Sequence, residues 1–175
     1  MLSKMKTDFS YQPVKVDAAR AQQLRAEIEA FHIEYCAVLD ACDVKKWPEF
    51  FTEDGVYRIT SRENANQKML VGLVYAEGRG MMHDRAVAIA QTQMFAPRHI
   101  MHMVSNIRVI NETDELIEAE TNYLLIQTLI EGQSTIHLAG KYYDRFVRSE
   151  NGLLLKERQV VYDTEILATD LVYPV

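Results

Sequence analysis

Apolar residues in the first part of the chain fall on a helical period. Leu24, Ile28, Phe31, Tyr35, Leu39 and Cys42 follow one another at steps of four, three, four, four and three, one stripe on a single long helix. Asp17 stands where such a helix needs an N-cap. Arg20, Arg25, Glu29 and Glu34 lie largely off the stripe. A second, short helix is predicted over residues 46–51, with Pro48 tolerable in its first turn and Trp47, Phe50 and Phe51 as anchors. Thr52, Glu53, Asp54 and Gly55 have turn chemistry and lead into a strand over 56–60. Residues 61–68 read as a polar loop and 69–75 as a strand or extended segment. Gly78 and Gly80 bracket a turn before a third helix over 81–95, with Met82, Ala86, Ile89 and Gln93 along one face and Pro97 beyond its end.

The second half changes character. Residues 99–110, 115–130, 134–148 and 153–163 are β-rich, separated by turns at 111–114, 131–133 and 149–152. Strands this long need bulges or coiling to stay packed. Helices followed by a long meander predict an α+β fold: a cone-shaped roll, its N-terminal helices packed in a strongly curved, mainly antiparallel sheet. A cone of this kind often holds a pocket. Seven glycines and four prolines leave little material for linkers, so residues 17–175 are expected to form one domain behind a polar arm at 1–16. Leu124, Ile126 and Ile130 share one face of their strand, and Leu125 and Leu129 the other. Apolar residues on both faces call for a partner beyond the helices.

Composition narrows the classes. With 175 residues, 48% of them hydrophobic and 25% charged, the chain matches an ordinary globular protein. Nineteen Lys and Arg against 25 Asp and Glu leave a net charge of −6, which repels phosphate backbones and disfavours nucleic acid. No apolar run approaches the roughly 20 residues that span a bilayer, and the first residues lack the apolar core of a secretion signal. Two cysteines, Cys36 and Cys42, sit in one helical pattern and face different ways, so they are not expected to pair. A reducing, cytoplasmic setting follows.

Few motifs carry chemistry. The run from Gly78 to His83 imitates the start of a dinucleotide fingerprint but lacks its third glycine and the surrounding βαβ unit. Phosphate-loop, zincin and hydrolase-elbow motifs are absent, and the sequon at Asn111 reads as a hairpin turn. His99 and His102 are three apart, so a strand points them to opposite faces. His83 and Asp84 diverge on a helix. His32 is expected on the helix surface and His137 on a sheet face. A closed cone could bring together Asp40 or Asp43, Tyr57 and His99 as acid–base residues whose burial tunes them for proton transfer. The alternative is that these residues cap a helix and fill a polar core.

The stretch from Trp47 to Tyr57, WPEFFTEDGVY, resembles the signature of the ketosteroid-isomerase-like cone-fold superfamily. Three further segments narrow the likeness: SREN from Ser61, MMHDRAVAI from Met81 and PRHIMHMVSNIRV from Pro97. With the ending VYDTEILATDLVYPV they resemble the small (beta) subunit of Rieske-type aromatic-ring-hydroxylating oxygenases, especially those acting on aromatic carboxylates. The resemblance implies a subunit without redox chemistry that supports assembly of the catalytic alpha subunits, usually as three alpha-beta pairs, itself a homotrimer. The Rieske [2Fe-2S] cluster and mononuclear Fe(II) are then expected in the partner alpha subunit, with no catalytic, cofactor-binding or metal residue here. The residues agree: without any Cys-x-His or Cys-x-x-His, this chain cannot build a Rieske centre. Arg85, Arg98 and His99 are polar positions that the family pattern keeps, expected to make inter-subunit or core contacts. The competing reading is a stand-alone cone-fold dehydratase or isomerase using Asp43, Tyr57 and His99.

Overall fold

The computed structural model describes residues 5–69, 71–92 and 94–175. Helix α1 runs Ala18–Asp40, and the Asp17 carboxylate accepts the free N–H groups of Ala19 and Arg20. Its expected stripe is the buried face: Leu24, Ile28, Phe31, Tyr35 and Leu39 all pack inward. Cys42 is not part of the helix. It sits beyond the C-cap with φ +56°, its N–H bonded to the Leu39 carbonyl and that of Asp43 to Val38, a Schellman ending with cysteine in the place glycine usually takes.

The second helix is a 3-10 segment, Val44–Phe50, with Phe51 already in strand β1, Phe51–Ser61. The expected turn at residues 52–55 lies inside β1 as an irregularity, where pairing jumps between Phe51 and Val56. The polar loop after β1 contains a short helix α2, Arg62–Asn66, capped by the Ser61 hydroxyl on the Asn64 N–H; five residues are too few to show a period. Strand β2 is confined to Val74–Glu77, and Leu70 of the expected extended segment lies outside the described residues. Helix α3 spans Arg79–Gln91 and buries Met82, Ala86 and Ile89; Gln93 lies outside the described residues. Strands β3 (Arg98–Glu112), β4 (Ile117–Leu129), β5 (Ser134–Ser149) and β6 (Gly152–Tyr162) form the long meander.

All six strands make one curved sheet in the order β2-β1-β6-β5-β4-β3. Every pairing is antiparallel except β1 with β6, which is parallel. The sheet wraps α1, and its concave side and the helix share one core that includes Trp47, Tyr57, Tyr123, Tyr142 and Phe146. Bulges in the β3–β4, β4–β5 and β5–β6 ladders supply the curvature that long strands need.

The convex side is divided. Its β5–β6 half carries a polar lattice in which Glu157 accepts from Arg145, Gln159 and the Lys6 N–H. The N-terminal arm crosses this side from β5 to β3: Phe9 packs edge-on against Tyr143 of β5 at 4.9 Å, the Arg108 guanidinium of β3 bonds the Gln12 carbonyl, and the Lys15 N–H bonds Ile110 of β3.

Backbone contact is closest at Gly140, where a Cβ would lie 2.1 Å from the Val161 carbonyl oxygen and 2.8 Å from the Tyr162 Cα. Neither obstacle is a side chain that can swing away. Gly140→Ala should therefore destabilise the fold by about 1–3 kcal/mol in urea unfolding. Gly80→Ala, in α3 with nothing within 4 Å of the added methyl, should be neutral or stabilising by up to about 1 kcal/mol.

Candidate functional site

The middle of the concave side is occupied by charge. Arg158, on β6, is fully buried and lies between the Tyr35 and Tyr142 rings, its guanidinium carbon 4.2 Å from each centroid. Two of its N–H groups reach the Asp144 carboxylate at 2.9 and 2.7 Å. Burial pushes the Asp144 carboxyl above its ordinary range while the guanidinium pulls it back. The same guanidinium donates to Nδ1 of His32 at 3.3 Å. An arginine cannot accept, so Nδ1 carries no proton, and Nε2–H is left to donate to the Thr121 hydroxyl at 3.3 Å. His32 is thus a neutral core residue and not the expected helix-surface one; burial and the nearby Arg158 charge lower its pKa well below the usual imidazole value. The sequence carries a signal for this cluster: Asp144 shares its strand parity with Tyr142 and Phe146, so an acid stands on the core side.

A second polar pair sits where α1 meets β3. The Asp40 carboxylate accepts the His102 backbone N–H at 3.0 Å and its ring Nδ1–H at 2.6 Å. The opposite nitrogen, Nε2, is buried without a protein partner. His99 is on the other face of β3 and exposed, as the odd spacing requires. Asp43 lies outside the interior in an ion pair with Lys46 at 2.7 Å. Tyr57 is fully buried, and its hydroxyl accepts the Val175 N–H at 2.7 Å and donates to the Val175 carbonyl at 3.2 Å. Asp43, Tyr57 and His99 therefore occupy three different environments and form no acid–base constellation. Surface clefts of about 460–760 Å³ lie among the described residues at the N-terminal arm, along α1, beside α2 and on β3 to β5, and none of these is lined by Asp40, Tyr57 or His102.

Arg85 and Arg98 share one task. Both hold the residues that follow β6. Arg98 forks onto the Asp170 carboxylate at 3.1 and 3.3 Å, bonds the Asp170 carbonyl, and braces Gln127, which donates to Thr169. Arg85 donates to the Val172 carbonyl at 3.4 Å. His137 is buried beside this clamp with both ring nitrogens unpartnered; burial, then the Arg98 charge, lower its pKa.

The convex surface beyond the N-terminal arm is apolar and bare. Met101 and Met103 on β3 are each 51% exposed, and Ile136 on β5 is 60% exposed. Between them on β4, Ile126 pairs with both Met101 and Ile136, and Leu124 pairs with Met103. Leu125 faces the core, so the expected division of the two faces holds for Leu124, Leu125 and Ile126, while Ile130 stands beyond the end of β4 in the turn.

The sequence profile of the ring hydroxylating beta subunit family matches residues 36–169. The chain belongs to that family. It is 36% identical over 149 residues to the small subunit of anthranilate 1,2-dioxygenase from Burkholderia cepacia, covering 85% of this chain and 92% of that one. A terephthalate 1,2-dioxygenase terminal oxygenase beta subunit from Comamonas is 26% identical, covering 85% and 96%. Among solved structures, a protein assigned as the beta subunit of an aromatic-ring-hydroxylating dioxygenase from Novosphingobium aromaticivorans superposes with TM-score 0.81 at 31% identity, covering 89% of this chain and 99% of that one. Naphthalene 1,2-dioxygenase shares the fold, with TM-score 0.69 at 18% identity over 91% and 88% of the two chains.

Cys36 is buried and Cys42 half-buried, both free thiols. Among the described residues no three His, Cys, Asp or Glu side chains converge as a ligand set. Among them, too, no helix is long and apolar enough to cross a membrane.

Two outcomes follow for this beta subunit. Removing one partner of a buried ion pair strands the other, so Arg158→Met should cost about 3–5 kcal/mol in denaturant unfolding, and adding Asp144→Leu should recover much of the loss. His32 and His137 have depressed pKa values in the fold. Their stabilising contribution is complete above the unfolded value of 6.5. It declines as pH falls from there, because the unfolded chain takes up protons that the native state refuses, and is gone below the folded values. His32→Gln with His137→Gln should flatten the stability–pH curve just below 6.5, measured by urea midpoints at a series of pH values.

Proposed function

We propose that the chain is the non-redox scaffold of a multicomponent oxygenase that hydroxylates an aromatic carboxylate, holding catalytic alpha subunits in register. The observation that carries this reading is the division of the convex sheet face. Part of that face is covered by the chain's own arm, while Met101, Met103, Leu124, Ile126 and Ile136 are left open on the edge strand β3 and on β4 and β5 beside it. Water-exposed apolar area of this kind is an interface awaiting a partner.

In this reading copies of the chain meet through that face as a homotrimer, giving three alpha-beta pairs in the cytoplasm. Residues 17–175 act as one domain with the arm of residues 1–16 laid against it. The Rieske [2Fe-2S] cluster and the mononuclear Fe(II) belong to the alpha subunit, which supplies the oxygen activation and electron transfer. Arg85 and Arg98 act within the chain as core contacts. The aromatic carboxylate is supported by the anthranilate and terephthalate dioxygenase relatives.

Co-expression with an alpha subunit of this class should yield a large complex with iron and a Rieske absorption spectrum, both missing from this chain purified alone. Met101→Glu combined with Ile126→Lys should leave the circular dichroism unchanged, reduce the isolated chain to a monomer in sedimentation, and lower recovery of the complex. A wild-type chain that is already monomeric, or a variant that assembles normally, would remove the scaffold role from this face.

A further inference from the structure

We propose that the alternating row Val71, Leu73, Tyr75 and Glu77 at the β2 edge is the second half of the contact between copies of this chain: the row of one copy lies on the open β3–β5 face of the next. The pairing rests on the homotrimer of the proposed function. A patch that meets its own copy gives a twofold pair, so a ring of three closes only head to tail. Each copy must then offer two different faces that fit one another.

The open face is one of them. Its cross-strand rungs run in order: Met101, Ile126 and Ile136; then Met103, Leu124 and Ala139; then Ser105, Asn122 and Lys141. Two apolar rungs are thus followed by a polar one that carries a cation. A hollow of about 460 Å³ is sunk into the last two rungs, with Met103, Leu124, Lys141 and Asp163 in its wall. Arg62 already holds Asp163 at 2.8 Å, which leaves Lys141 as the charge to be answered.

The β2 edge is the other. Val71, Leu73 and Tyr75 are 63%, 50% and 43% exposed, while Val74 and Ala76 turn inward. The Leu73 N–H bonds the Ile59 carbonyl and the Thr60 hydroxyl donates to the Val71 carbonyl at 2.9 Å, so the row is held against β1 ahead of the regular strand. Tyr75 stands opposite Arg58, whose guanidinium bonds Gln159 in the convex polar lattice at 2.6 Å. Cross-strand neighbours point to the same side, so the row opens on the convex side, at the other end of the strand order from β3. The Tyr75 hydroxyl donates to the Glu77 carboxylate at 2.9 Å, and the row ends in an anion.

Row and face match in spacing and in sign. Both are built on extended chain, where side chains on one face recur about every 7 Å. With Leu73 over the first rung and Tyr75 over the second, where its ring fills the hollow, Glu77 reaches Lys141. The apolar groups leave water at the centre and the charges meet at the rim.

The experiment uses the full chain in sedimentation, with circular dichroism as the check on folding. Met101→Glu with Ile126→Lys breaks the face, and Val71→Glu with Leu73→Glu breaks the row. Each variant alone is expected to be a folded monomer. An equal mixture is expected to form one-to-one pairs and stop there, because only one intact junction exists between the two. A row variant that stays a trimer overturns the pairing while leaving the homotrimer standing, and so does a mixture that stays monomeric. A face variant that still assembles removes the homotrimer contact itself, and the pairing with it, before any mixing. Glu77→Lys, a change of one exposed charge, covers the case of a row variant that fails to fold. Alone it should weaken association about tenfold by setting two cations opposite each other, and Lys141→Glu in the same chain should restore it to within about threefold. A double variant no better than Glu77→Lys overturns the proposal.

Discussion

A guanidinium in the interior of a protein must have its charge answered, and the concave face of this sheet is arranged around that demand, through Nε and Nη2 of Arg158 and the two faces of its plane. Arg158 comes from β6, its counter-ion Asp144 from β5, and the two rings that sandwich it from α1 and β5. The cluster joins the long helix to the two central strands of the sheet. His32 and Thr121 extend it to β4. Burying the pair is costly, and replacing it with apolar side chains is often neutral or better for stability. What the pair adds is registry: only one placement of α1 along the sheet brings His32 and Tyr35 to the same guanidinium.

With the interior so occupied, function moves outward. In a cone that served as an enzyme the polar residues of the concave face would border an accessible cavity. Here Arg158 is closed in by aromatic rings, Tyr57 is saturated by Val175, and the Asp40–His102 pair is used to pin β3 to the end of α1. The outer face is the accessible one. Its division into an arm-covered part and an open apolar part suits a subunit whose work is to be gripped by others.

Much of this was legible in the sequence, and the failures have physical causes. The long helix, the four meander strands and the opposed faces of His99 and His102 follow from hydrophobic period alone. Of the short elements, the 3-10 segment was legible from Pro48 and its aromatic anchors, with its bounds displaced by a residue or two, while α2 escaped because five residues with one cap show no period. His32 was misplaced because a neutral histidine in the core and an exposed one look alike until Arg158 and Thr121 are brought to it by β6 and β4. The acid–base grouping of Asp43, Tyr57 and His99 failed for the same reason, since sequence order says which strand a residue is on but not how far the sheet curls. Arg85 and Arg98 were singled out as polar contacts; their common object, the segment after β6, is irregular and has no pattern to announce it.

The parallel pairing of β1 with β6 bears on how the chain reaches this state. Phe51 finds Leu155, and Ser61 finds Tyr162, so β1 waits for a partner about 100 residues further along. On a ribosome the helices and β1 emerge long before the strand that completes their sheet, and the local hairpins of the meander form first. Until β6 arrives, β1 has only the short β2 beside it and one open edge, the feature that makes nascent sheets prone to wrong partners. A newly made subunit therefore spends its riskiest interval with both that edge and the apolar convex face uncovered, and its yield in a cell depends on how soon its assembly partners are at hand.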